Sequence, residues 1–131
     1  MFDIDHFKNI NDSHGHPMGD QCLKQFTKTI GPLINDNAGN LFRYGGEEFS
    51  TIILCAEESE AVKLAEDARK RVENSPVVAD DITVSMTMSV GICWTVADNA
   101  KSVEQALESA DQALYKAKQS GRNQVILNKL N

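Results

Sequence analysis

The stretch Arg43-Tyr44-Gly45-Gly46-Glu47-Glu48-Phe49 decides how this chain is read. Leu41 and Phe42 lead in, and the β-type run Phe49, Thr51, Ile52, Ile53 and Leu54 leads out. Two such runs around a Gly-Gly corner predict a β-hairpin. Glycine supplies the positive φ of a tight turn and lets a bulky ligand lie against bare backbone. A plain hairpin has no need of adjacent carboxylates, yet Glu47 and Glu48 follow the corner, one per face of the outgoing strand. Glycines and carboxylates together suit a phosphate-bearing ligand and its metal. The same residues also make an ordinary solvated turn, and the stretch alone leaves both readings open.

Outward from the hairpin, strand and helix patterns alternate. Residues 1–4 end a strand, and Asp5 is placed to cap a short helix over 6–13, with Phe7 and Ile10 facing the core. Gly15 breaks that helix and Pro17 suits the start of the next, where Leu23, Phe26, Ile30 and Leu33 recur at helical spacing up to residue 34. Residues 35–40 form a turn cluster. Beyond the hairpin, a helix over about 59–73 buries Val62, Ala65, Ala68 and Val72 and stops at Asn74-Ser75-Pro76.

Residues 84–94 alternate strictly, large on one face and small on the other (Ser85, Thr87, Ser89, Gly91, Cys93), predicting one long strand over which helices pack closely. Ser102 and Gln105 read as a capping box for a helix striped by Val103, Ala106, Leu107, Ala110, Ala113, Leu114 and Ala117. Gly121 ends it, and residues 125–127 make a last strand. The expected class is α/β, a mixed central β-sheet flanked by helices.

At 131 residues the chain is one domain with room for a single core. It is 41% hydrophobic and 24% charged, which is ordinary for a globular protein. Its net charge of −6 argues against a broad nucleic-acid or anionic-membrane surface, so an anionic ligand needs a local basic cluster or a metal. Cys22, Cys55 and Cys93 are odd in number and lack CxxC spacing; they read as reduced core residues of a cytoplasmic domain. No apolar run reaches the ~18 residues of a membrane span, and no signal peptide opens the chain. Whether a parent protein is membrane-anchored is left open.

Asp3 and Asp5 form an Asp-x-Asp at the end of the first strand. Asp5 has two readings, helix cap or ligand. Hard oxygen ligands from neighbouring strands are what Mg²⁺ or Mn²⁺ takes, usually one or two carboxylates plus substrate phosphate. Lys8, Lys118 and Arg122 would stabilise charge on a triphosphate, or simply sit near helix ends, where the dipole favours Lys118 and Arg122. Asn11 and Asp20 are turn and cap formers that also match the hydrogen-bonding edge of guanine. His14 and His16 lack the company of a zinc site.

These residues are co-linear with a known pattern. Asp3-Ile4-Asp5-His6-Phe7-Lys8, Asn11-Asp12, Gly15-His16, Gly19-Asp20, the hairpin, Ala110-Asp111, Ala113-Leu114-Tyr115, Ala117-Lys118 and Gly121-Arg122-Asn123 together resemble the GGDEF family of diguanylate cyclases. The resemblance implies a nucleotidyl-cyclase or polymerase-palm-like fold with a ferredoxin-like βαββαβ core. It implies condensation of two GTP into cyclic di-GMP and two pyrophosphates at a homodimer interface, for second-messenger signalling under a fused or associated sensor domain. Asp3, the Ile4 carbonyl and Glu47 would hold Mg²⁺ or Mn²⁺, with Glu48 as a further metal or proton-handling carboxylate. Asn11 and Asp20 would bind guanine. Lys8, Lys118, Arg122 and the backbone N–H groups of His6 and Phe7 would hold phosphates, with Gly45 and Gly46 beneath them.

Against the family pattern, residues 1–131 would lack the N-terminal helix and most of the first strand. The Arg-x-x-Asp of a product-inhibition site is replaced by Asp36, Asn37, Ala38 and Gly39. A second reading of the resemblance is a catalytically inactive GGDEF module that binds GTP or mediates dimerisation. A phosphorylated receiver-type domain is set aside, because the candidate lysines sit on helices.

Overall fold

The computed structural model describes residues 1–96 and 103–130. Its elements run β1 (Phe2–Ile4), α1 (Phe7–His14), α2 (His16–Asp36), β2 (Phe42–Gly45), β3 (Glu48–Ser50), α3 (Glu58–Glu73), β4 (Val77–Ala79), β5 (Ile82–Val84), β6 (Met88–Trp94), α4 (Val103–Gln119) and β7 (Val125–Lys129). A five-stranded sheet has the order β2-β3-β1-β6-β7. Its first four strands pair antiparallel, and β6 with β7 parallel. The sheet is mixed, as the hairpin required.

Strand alternation divides the two faces. Phe2, Ile4, Phe49, Met88 and Val90 point into the main core with Phe26, Ile30 and Ile34 of α2 and Ala68 and Val72 of α3. The Phe26 and Phe49 rings lie 4.7 Å apart, centroid to centroid. The other face is covered by α4, whose Ala110 and Leu114 pack with Met1. Gly91 makes that approach possible. A Cβ there would lie 2.2 Å from the Ala110 carbonyl oxygen and 2.3 Å from the Leu114 nitrogen.

Several expectations are corrected. The 84–94 alternation is not one strand: Val84 belongs to β5, which pairs with β4 in a separate two-stranded sheet, and residues 85–87 break the run before β6. Strand β4 carries only a three-residue β pattern. Its turn residues Asp80 and Asp81 both have positive φ (50° and 64°) without the Asn-Gly signature of such a hairpin. The outgoing run of the Gly-Gly hairpin is also shorter than expected. In the antiparallel register Phe2 faces Phe49, and the outgoing strand ends at Ser50. Ile52 and Leu54 stand exposed, at 70% and 94%. Ser102, expected to cap α4, lies outside the described residues.

Candidate functional site

Asp3 is the centre of a charged cluster at one end of the sheet. In the middle strand its Cα is opposite Glu48 on one side and Ser89 on the other. It is only 4% exposed. From the last turn of α4, Lys118 reaches over the strand end and donates to Asp3 Oδ2 at 2.6 Å, with Glu48 Oε1 at 3.9 Å. The narrow face of β6 decides this contact, because it lets α4 lie close enough.

Burial pushes the Asp3 carboxyl up to about 6; the Lys118 hydrogen bond and charge oppose the rise, and Glu47 and Glu48 add to it. Burial by itself would lower the Lys118 ammonium, but Asp3, Glu48 and Glu47 hold it above its ordinary value. The one lysine does not offset what burial costs the Asp3 carboxylate.

The hairpin corner differs in detail from the expectation. The register slips between Arg43 and Gly45, so Gly45 pairs with Glu48 and the turn is Gly46-Glu47. Glu47 thus occupies the turn itself, not a face of the outgoing strand. Only Gly46 needs the left-handed conformation (φ 54°). A Cβ on either glycine would meet nothing within 4 Å, which leaves the surface over the corner open. Arg43 Nε donates to the Gly46 carbonyl at 2.9 Å and clasps the turn.

Asp5 is neither the helix cap nor a member of the cluster. Its carboxylate is buried and accepts from Thr87 Oγ1 (2.7 Å), Ser89 Oγ (2.6 Å) and the Asn123 backbone N–H (3.0 Å). Its own N–H donates to the Thr87 carbonyl. Being used there, it cannot turn to α1, whose N-cap is His6 in a left-handed conformation (φ 55°) with no side-chain cap. The start of α1, one strand end away from Asp3, keeps its first N–H groups free of side-chain caps. That is the arrangement in which a helix terminus binds phosphate.

On α1, Asn11 Oδ1 is buried and has no hydrogen-bond partner among the described residues. It fits against Gly19 of α2, where a Cβ would come within 1.9 Å of it. A buried acceptor without a partner costs about 1–3 kcal/mol, and a ligand N–H would remove that cost. Asp20, next to Gly19, is exposed, as are His6, Lys8 and Arg122, while Phe7 is half-buried.

The donor set fits a divalent cation. Asp3 and Glu48 already converge on one positive charge, and Glu47 is close enough to act on Asp3 electrostatically. The Ile4 backbone N–H meets the Glu47 carbonyl at 3.3 Å. Among the described residues, no three His, Cys, Asp or Glu side chains form a ready-made metal cage. Mg²⁺ commonly takes one or two carboxylates and completes its shell with water and phosphate. His14 and His16 are exposed and belong to no such cage.

The family model described as "Diguanylate cyclase, GGDEF domain" matches residues 1–124. The chain belongs to the GGDEF family. It is 42% identical over 131 residues to diguanylate cyclase A of Treponema denticola, covering all of this chain and 35% of that protein. This GGDEF chain thus spans about a third of the length of the curated relatives it matches. Among solved structures it is similar to the coiled coil and GGDEF domain of DgcB from Caulobacter crescentus in complex with c-di-GMP (TM-score 0.86, 31% identity, 97% of this chain and 66% of that one). It also resembles the active GGEEF domain of a diguanylate cyclase from Vibrio cholerae (TM-score 0.80, 33% identity, 99% and 81%).

Residues missed at the level of motifs are mostly supports. Thr87 and Ser89 hold Asp5 in place and no motif marks them, while Gly19 and Arg43 stand inside the quoted motifs without their supporting contacts to Asn11 and Gly46 being legible there. Gly39, at the Asp position of the family's product-inhibition motif, is buried. A Cβ there would meet Ile53 at 2.7 Å and Ile34 and Thr51 at 3.0 Å. Among the described residues no helix is long and apolar enough to cross a membrane.

Proposed function

We propose that this GGDEF domain condenses two GTP into cyclic di-GMP, with each of two facing protomers holding one nucleotide. The observation that carries this reading is the meeting of Asp3, Glu48 and Lys118 at a strand end flanked by an uncapped helix start and a hairpin corner open to solvent. In this reading Asn11 and Asp20 hold the guanine edge. The N–H groups of His6 and Phe7, with Lys8, Lys118 and Arg122, hold the triphosphate over Gly45 and Gly46. Asp3, the Ile4 carbonyl and Glu47 hold Mg²⁺ or Mn²⁺, with Glu48 beside them. When bound, that ion supplies Lewis acidity at the phosphoryl oxygens.

The reaction is a double displacement between protomers. Each 3′-hydroxyl oxygen forms a bond to the partner nucleotide's α-phosphorus, and the bond from that phosphorus to pyrophosphate breaks. In this reading Glu48 accepts the hydroxyl proton. Lys118, drawn from Asp3 to the phosphates, neutralises charge that grows on the leaving group. Holding two nucleotides in line contributes about 7–11 kcal/mol of barrier reduction. A lone protomer therefore binds GTP and makes little product, so a fused or associated sensor domain that controls dimerisation would control output.

The test is a product assay with GTP and Mg²⁺ on the chain alone and on the chain joined to a dimeric coiled coil. Cyclic di-GMP from the joined form, lost in Glu47→Gln, supports the cyclase. GTP bound but unturned in the joined form would instead identify a non-enzymatic GTP-binding or dimerisation module.

A further inference from the structure

The turn after α4 is built in an unfavourable conformation. Arg122 and Asn123 are consecutive non-glycine residues with positive φ, 63° and 45°. L-residues avoid that region because Cβ crowds the backbone, and it persists only where surrounding contacts impose it. Side chains from distant parts of the chain make such contacts with Asn123, beside the local bond of the Arg122 N–H to the Ala117 carbonyl. Asp5, at the end of β1, accepts the Asn123 backbone N–H at 3.0 Å. Arg69, on α3, donates from Nη1 to Asn123 Oδ1 at 2.9 Å, and Glu73 accepts from Asn123 Nδ2.

Both anchors are themselves held. Asp5 is fixed by Thr87 and Ser89 of the β6 side, and it is 4% exposed. Arg69 pairs with Glu66 at 2.9 Å and with Glu73 at 3.4 Å. The Asp5 hydrogen bond also ties the Arg122 turn to the residue that precedes His6 and Phe7. Two segments read as phosphate-holding are thereby linked through one buried carboxylate.

We infer that Asp5 and Arg69 are positioning residues that force the left-handed Arg122–Asn123 turn and so aim the Arg122 guanidinium at the nucleotide phosphates. Neither touches substrate; both act through Arg122. The inference rests on the proposed GTP site. Asparagine at position 5 keeps an oxygen for the Asn123 N–H and can donate its amide to a hydroxyl, whereas alanine removes the anchor. The effect of either anchor should therefore vanish once Arg122 is gone, which a general loss of stability would not do.

The experiment is calorimetric titration of the chain with a non-hydrolysable GTP analogue and Mg²⁺, comparing wild type, Asp5→Ala, Asp5→Asn, Arg69→Ala, Arg122→Ala and the doubles Asp5→Ala/Arg122→Ala and Arg69→Ala/Arg122→Ala. Asp5→Ala should weaken binding about tenfold, as Arg122→Ala does, and Asp5→Asn should recover most of the loss. Arg69→Ala should weaken it several-fold, and each double should bind like Arg122→Ala alone. If Asp5→Ala fails to fold, the Arg69 pair carries the same test. Losses that multiply in the doubles, or anchor variants that bind like wild type beside a weakened Arg122→Ala, overturn the inference and leave the cyclase reading standing. No binding by wild type, or full binding by Arg122→Ala, overturns the site reading beneath it.

Discussion

Lys118 Nζ lies 2.6 Å from Asp3 Oδ2, joining residues 115 apart in sequence. Burial raises the Asp3 carboxyl to about 6 even with the lysine beside it, and Glu47 and Glu48 add to the rise. In the proposed cyclase the pair would exchange partners, with Asp3 helping to hold a divalent cation and Lys118 turning to phosphate.

Asp3→Asn should therefore separate stability from activity. At neutral pH it removes a buried charge that is only partly compensated, so the metal-free melting temperature should hold or rise by a few degrees. Product formation in the dimerised form should fall by about 100-fold, equivalent to about 2.7 kcal/mol. Thermal melts and a cyclic di-GMP assay on the same preparations check both halves. A melting temperature well below wild type would mean that the Asp3–Lys118 pair is a structural staple.

The pH dependence has a definite sign. A carboxyl raised from 3.8 to about 6 on folding binds its proton more tightly in the folded state. Its stabilising contribution is full below about pH 4 and is lost as pH rises through about 6. Metal-free wild type should thus lose stability between about pH 4 and about pH 6.5 relative to Asp3→Asn. Mg²⁺ should raise the melting temperature more at the higher pH. Melting curves of both proteins across that range, with and without Mg²⁺, measure the difference directly.

Gly19→Ala tests the base site without removing any polar group. The added Cβ would sit 1.9 Å from Asn11 Oδ1 and 3.3 Å from the Phe7 ring, so Asn11 must leave its position. GTP binding should weaken by about tenfold, or about 1.4 kcal/mol, and preference for GTP over ATP should shrink. Titrations with both nucleotides read the two effects. Unchanged discrimination would show that Asn11 does not read the base.

Gly91→Ala tests how α4 carries the site. Its Cβ would run into backbone atoms of Ala110 and Leu114, which cannot swing aside as a side chain does. The helix must shift as a body, at a cost of about 1–3 kcal/mol. Lys118 moves with it, so the melting temperature and GTP affinity should fall together. Loss of stability with GTP affinity intact would disconnect the helix position from the site.

Product feedback should be weak. Gly39 has no room for the carboxylate of an Arg-x-x-Asp site, and position 36 carries an acid in place of arginine. Calorimetry should find no cyclic di-GMP complex at low-micromolar or tighter affinity, and such a complex would contradict the expectation.

The sequence by itself determined the class of fold and the family. Helical stripes such as Leu23, Phe26, Ile30 and Leu33, the small-residue alternation of 89–93, and the co-linear motifs are local signals, and the sheet and α4 packing followed them. Local signals misled where pairing partners decide the outcome. The alternation through 84–94 was split because Val84 pairs with Val77, and the outgoing hairpin strand ends at Ser50. Only the tertiary structure decided what each acid does. Asp3 lies in β1 and Asp5 just past its end, yet one meets Lys118 and the other Thr87, Ser89 and Asn123. Those donors come from 82 to 118 residues away, brought in by strands and a helix packed on the same face. A carboxylate takes its role from the charges and donors that packing places around it, and no spacing along the chain encodes that neighbourhood.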